Sequence, residues 1–178
     1  MWIKLALLLA AAALAMPGPA ADTKPDKKKS QAAHVDQLSE SLDELRRDAD
    51  ALCEAIDADA DAYDRVMEAL RLPQGDASQT AKREEAVEGT TKAAADVPLK
   101  VAGRAVALFE RLGQLEAIAA ASMKSDLKVA KLMAEAGARG AIANVEINLD
   151  SIKDAVYVAA KRRAITTLLD RLTAPPTA

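Results

Sequence analysis

LSESLDELRRDADALCEAIDADADAYDRVMEALRLP, residues 38–73, is the stretch that decides the fold. Leu38, Leu42, Leu45, Ala49, Leu52, Ile56, Asp59, Tyr63, Val66 and Leu70 follow one another at steps of four and three. That spacing lays all of them along one side of a helix, facing a core or a partner helix. Pro73 cannot continue a helix, and Pro73-Gln74-Gly75-Asp76 reads as the turn that ends it.

The rest of the chain follows the same pattern. Ser78 is expected to cap a second helix running to about Ala95. Asp96-Val97-Pro98 interrupts it, and Pro98 either kinks the helix or opens a new one in its first turn. Val101, Ala105, Leu108, Leu112 and Leu115 continue a helical line beyond the proline. A short segment around Ala120 to Lys124 leads to Ser125-Asp126, the expected cap of a helix from Leu127 to about Asn148. Gly137 and Gly140 inside it cost roughly 1 kcal/mol each against alanine, and are expected where another backbone comes close. A last helix is expected over Lys153 to Leu172.

Composition points the same way. The 178 residues are 51% hydrophobic but only 2% aromatic, so the apolar content is Ala, Leu, Val and Ile. Alanine favours helices and close helix packing, whereas strands favour aromatic and β-branched residues. The class is therefore all-α, an antiparallel helical bundle of one domain. A net charge of −3 argues against a general nucleic-acid face. Cys53 is the only cysteine and His34 the only histidine, which excludes an intramolecular disulfide and an ordinary protein zinc site. His34 has no nucleophile motif around it, and no C-x-x-C-H run exists to attach haem.

Residues 1–21 carry two readings. Lys4 followed by the apolar run Leu5 to Leu14 and by Ala13-Leu14-Ala15 has the form of an export signal. The same run has the form of a buried core helix, and it is too short to span a bilayer. Residues 22–33 read as a polar, lysine-rich loop, 34–173 as the helical domain, and 174–178 as a tail.

Asp59 is the one charged member of the 38–70 line. An ionised carboxylate on a buried face costs several kcal/mol unless it is paired. Either the line is exposed there, or an Arg from another helix meets Asp59, or Asp59 lies at the floor of a cleft and exchanges protons.

Four strings resemble one family. They are Asp59-Ala60-Asp61-Ala62-Tyr63 with Leu72-Pro73, then Asp96-Val97-Pro98-Leu99, Ser125-Asp126-Leu127-Lys128-Val129-Ala130, and Gly140-Ala141 with Asn144-Val145-Glu146-Ile147-Asn148-Leu149. In order and spacing they are similar to the cyclodeaminase / methenyltetrahydrofolate cyclohydrolase family. The resemblance implies a dimeric helical bundle acting on the one-carbon bridge of tetrahydrofolate, either closing 5-formiminotetrahydrofolate with loss of ammonia or hydrating 5,10-methenyltetrahydrofolate. It implies a folate substrate, no metal, and a site near the subunit interface.

On that resemblance, Asp59 is the candidate catalytic carboxylate. Ser125 and Asp126 would offer a helix cap to a polar ligand edge. Asn144 and Asn148, four apart on one face, would read the pterin; capping or interhelical bonding is the alternative. Lys27, Lys28 and Lys29 would suit the glutamate tail of folate, or form a solvated loop. The family's glycine-rich loop before its first buried helix is absent, which leaves two further alternatives: a truncated inactive member and an exported interaction protein. Reduced folates place the expected site of action in the cytoplasm.

Overall fold

The computed structural model describes residues 25–174, with side chains from Val35 onward. The expectations for residues 1–21 and for the end of the tail lie outside the described residues. Those described form four α-helices and no strand: α1 (Pro25–Leu70), α2 (Ala77–Ile118), α3 (Lys124–Leu149) and α4 (Ala155–Thr173). A 3-10 turn, Ala121–Met123, joins α2 to α3. None of these helices is long and apolar enough to cross a membrane.

Helix α1 reaches further back than expected. It begins at Pro25, so the stretch read as a loop carries helical backbone through Lys27, Lys28 and Lys29. Proline suits a helix start because its fixed φ is already helical and its missing N–H would find no intrahelical partner there. The Lys-, Gln- and Ala-rich sequence that follows has good helix propensity.

The cap of α2 is Asp76 rather than Ser78. Asp76 Oδ1 accepts from Gln79 N at 2.8 Å, and Gln79 Oε1 accepts from Gly75 N at 2.8 Å. Two amide donors at the helix start are thus satisfied reciprocally, two positions earlier than the serine would manage. Ser125-Asp126 is not a cap either. The N-cap of α3 is Met123 with no side-chain bond, because the preceding 3-10 turn already carries the chain into helical geometry. Helix α4 is capped by Asp154, which accepts from Val156 N and Tyr157 N at 3.0 Å each.

Helix α2 is the common partner of the others. Its alanines Ala95, Ala102 and Ala105 meet Ala138, Ala141, Ile142 and Val145 of α3 and the α4 residues Ile165, Leu168 and Leu172 in one core. A second core joins Leu45 and Leu52 of α1 to Leu108, Leu112 and Leu115 of α2 and Leu127 of α3. At the end of α4, Arg171 grips Glu110 of α2 with two bonds of 2.8 and 2.7 Å. That fork geometry is the favourable one for Arg and a carboxylate. The expectation of a close backbone at Gly140 is not met within the chain: an added Cβ there would meet nothing within 4 Å.

Pro98 lies inside α2, buried, and the helix continues through it. Proline has no N–H, so the carbonyl of Ala94, four residues earlier, loses its helical partner. Asn148 of α3 supplies a donor instead: its Nδ2 lies 3.4 Å from Ala94 O, and 3.1 Å from Asn144 O on its own helix. Replacing Asn148 by Ala is expected to cost about 1 kcal/mol in urea unfolding, the value of one side-chain bond to a buried carbonyl. In a Pro98→Ala background, where an amide N–H returns to that carbonyl, the same change should cost less. Equal costs in both backgrounds would show that the bond does not answer the proline.

Candidate active site

The line of residues from Leu38 to Leu70 does not stay buried. Leu45 and Leu52 are in the core, but Asp59 is exposed, Ile56 is 58% exposed and Tyr63 is 63% exposed. The buried face itself moves around α1: Leu45, Asp48 and Leu52 are buried first, then Ala62 and Ala69. Ala62 points about 100° around the helix from Leu45, so Tyr63, about five full turns after Leu45, is left facing outward. The buried carboxylate of α1 is Asp48, 8% exposed, which bonds Arg111 of α2 and has Arg104 at 4.0 Å. Asp59 therefore does not occupy the floor of a cleft within one chain.

A cleft of about 300 Å³ opens between α1 and α2, and Asp59 is not among the residues that line it. Helix α1 contributes Ala58, Asp61, Ala62 and Arg65, and α2 contributes Ala93, Asp96, Val97 and Lys100. Each set has the i, i+3, i+4, i+7 spacing of a single helix face. The three alanines leave the room, and two carboxylates and two cations line it. Around the helix, Asp59 lies closer to the exposed apolar face of Ile56 and Tyr63 than to the cleft face, with buried Ala62 between it and the rest of the cleft.

Asp96 is the anchored member of the cleft. Its Oδ1 lies 2.7 Å from the Tyr157 hydroxyl and 2.6 Å from Lys161 Nζ, both on α4. The Tyr157 oxygen also lies 2.9 Å from the carbonyl oxygen of Lys92. The ammonium groups of Lys161 and Lys92 lie over the tyrosine ring at 4.8 and 5.4 Å from its centre. Behind it, Lys92 pairs with Asp154 at 2.8 Å and Glu88 at 3.5 Å, and Glu88 accepts from Lys153 N and Asp154 N.

Partial burial pushes the Asp96 carboxyl up, but hydrogen bonds from Lys161 and Tyr157 and the charges of Lys161 and Lys100 more than offset it, holding it below the ordinary carboxylate range. Burial first, and then the bond and charge of Asp96, push the Tyr157 hydroxyl well above its usual value. At neutral pH the pair is thus a carboxylate and an un-ionised phenol.

The other expected site residues are scattered. Ser125 and Asp126 are exposed in the first turn of α3, and Asn144 is exposed in its last third. At 1.5 Å per residue, about 28 Å of helix separates Ser125 from Asn144, so one chain does not gather them into one pocket. Asn148 comes within reach of α2 beside the cleft wall, but its amide donors serve Ala94 and Asn144. The side chains of Lys27, Lys28 and Lys29 lie outside the described residues.

Sequence reasoning missed Asp96, Tyr157 and Lys161 as a group. Asp96 sits between Lys92 and Lys100 at four-residue spacing, which alone reads as a solvated helix face. The only signal was its place directly ahead of Val97-Pro98.

The fold and the cleft define a class: an all-helical domain that presents a carboxylate-bearing cleft between two long helices. Residues 5–167 match the family model described as formiminotransferase-cyclodeaminase, and the chain belongs to that family. Formimidoyltransferase-cyclodeaminase of Gallus gallus is 33% identical over 126 residues, 71% of this chain and 23% of that protein. The Sus scrofa protein of the same name is 33% identical over 118 residues, 66% and 22%. The chain thus spans less than a quarter of the length of these relatives. Methenyltetrahydrofolate cyclohydrolase of Methylorubrum extorquens is 32% identical over 143 residues, 77% of this chain and 64% of that one. Among solved structures, formiminotetrahydrofolate cyclodeaminase of Thermotoga maritima matches with a TM-score of 0.63 at 19% identity, over 96% of this chain and 77% of that chain, a likeness of fold.

Proposed function

We propose that this chain acts on the one-carbon bridge of a tetrahydrofolate, as a cyclodeaminase of 5-formiminotetrahydrofolate or a cyclohydrolase of 5,10-methenyltetrahydrofolate, in the cytoplasm. The family match over residues 5–167 carries the reading. The α1–α2 cleft is the substrate site, and Asp59, on the neighbouring exposed face of α1, is the carboxylate that relays the proton to leaving ammonia or from attacking water.

A second copy completes the site. The helices pack as an antiparallel bundle, as the six-residue link from α1 to α2 favours. Ile56, Tyr63 and Leu70 leave an apolar face of α1 uncovered beside Asp59. A homodimer formed over that face would take Asp59 out of water. It would also bring one chain's Ser125 and Asp126, or its Asn144 and Asn148, toward the other's cleft, a closeness that a single chain does not provide. Lys27, Lys28 and Lys29, more than about 40 Å of helix before the cleft residues of their own chain, would reach a glutamate tail only from the second copy.

The test is the absorbance of 5,10-methenyltetrahydrofolate and the turnover of 5-formiminotetrahydrofolate with wild type and Asp59→Asn. Wild type should accelerate one of the two reactions, and Asp59→Asn should be slower by about 100-fold, the usual worth of a positioned acid or base. No acceleration of either by wild type would overturn the reading, leaving a family member that keeps the fold without the chemistry.

A further inference from the structure

The Asp96 cluster is not used by that mechanism, yet it is the part of the cleft held by side chains of a third helix, α4. Both of its α4 partners, Tyr157 and Lys161, bond the same oxygen, Oδ1. Among the described residues no hydrogen bond or ion pair engages Oδ2. A carboxylate has about four lone-pair sites, so this one keeps acceptor capacity to spare. Asp96 is also only part-exposed, its side chain 39% open, and it lines the cleft. The cleft's own cations do not consume it: among the described residues neither Arg65 nor Lys100 has a carboxylate within 4.0 Å.

We infer that Asp96 is the carboxylate that meets the ligand in the α1–α2 cleft, accepting hydrogen bonds through Oδ2 from an N–H-donating edge, and that Tyr157 and Lys161 are positioning residues that hold it. The inference rests on the folate reading above and deepens it. Of the parts of a tetrahydrofolate, the pterin ring is the one that offers adjacent N–H donors, and an ionised, fixed carboxylate is the acceptor that binds such donors best. The tyrosine ring is itself held under two ammonium groups, so Asp96 does not have to be ordered when the ligand arrives. That saves the cost of immobilising a side chain on binding. Arg65 and Lys100, across and along the cleft, remain for the anionic end of the same ligand.

This role is in binding, so it separates from proton transfer at Asp59. Asp96→Asn should raise KM, and the Kd for 5-formyltetrahydrofolate, by about 10- to 100-fold, the worth of a charge-assisted hydrogen bond, with kcat within a few-fold of wild type. Tyr157→Phe and Lys161→Met should each raise Kd by up to about tenfold. They should also move the acid limb of the binding profile to higher pH, because each removes a group that holds the Asp96 carboxyl low. A purely structural role would lower the melting temperature without moving that limb.

Calorimetric binding of 5-formyltetrahydrofolate to the full chain reads the inference without needing turnover. If wild type binds and Asp96→Asn binds equally well at unchanged stability, the inference fails and the folate reading stands. If wild type binds but turns over neither substrate, the catalytic reading fails, and a weakened Asp96→Asn still upholds the inference. If wild type does not bind, both fail.

Discussion

Arg111→Met should destabilise the domain by about 3 kcal/mol, measured as a lowered urea midpoint at unchanged m-value. Among the described side chains of α1, Asp48 is the one carboxylate that burial traps, and Arg111 is its direct partner, with Glu44 accepting from the same guanidinium at 3.2 Å. Removing one member of a buried pair leaves a charge that neither water nor protein compensates, a loss of about 3–5 kcal/mol where burial is complete. Arg104 at 4.0 Å and the part-exposed Arg111 side chain place this case at the low end. The double variant Asp48→Asn with Arg111→Met should recover part of the loss, because the cost lies in the orphaned charge. A double variant as unstable as the sum of both single ones would show that packing, not charge, is what Arg111 provides.

Leu112→Ala is the second large effect, also about 3 kcal/mol. Leu112 is 1% exposed and sits where α1, α2 and α3 share one core with Leu45, Leu52 and Leu127. Large-to-alanine changes at such positions lose transfer energy and leave a cavity, for about 2–5 kcal/mol in total. The neighbours are leucines on three different helices, so no single side chain can swing in to fill the gap. Thermal and urea unfolding should agree on the loss. A loss under about 1 kcal/mol would mean that the three helices close up around the space.

The helices were legible because their signals are local. Apolar spacing set α1 from Leu38 to Leu70, Pro73 and Gly75 set its end, and the region around Asp154 set the start of α4 to within two residues. The caps were less legible. Asp76 and Ser78 are both good capping residues, and only the reciprocal bond with Gln79 decides between them. Pro98 could be read as a break because the sequence does not show that Asn148, fifty residues later, answers its missing N–H.

The site was less legible still. Strings that resemble the family gave its residues, but not which of them meet in space. The side of α1 that its neighbours cover moves from Leu45 and Leu52 to Ala62 and Ala69, which leaves Asp59 outward, and that change depends on how α2 lies across α1 rather than on any spacing within α1. Asp96 was overlooked because what distinguishes it, two bonds from α4 to one oxygen, depends on a contact between residues 61 positions apart.

Pro98 and the alanines of α2 have one more consequence, which concerns the order in which the domain comes apart. Helix α2 lies in both cores and holds α4 at each end, through Asp96 and Glu110. Helix α1 leans on α2 alone over most of its length and carries an uncovered face. Local opening of α1 can therefore leave the α2–α3–α4 unit standing, whereas loosening α2 releases every other helix at once. Cooperativity in this domain runs through a single element, and that element forms one wall of the cleft.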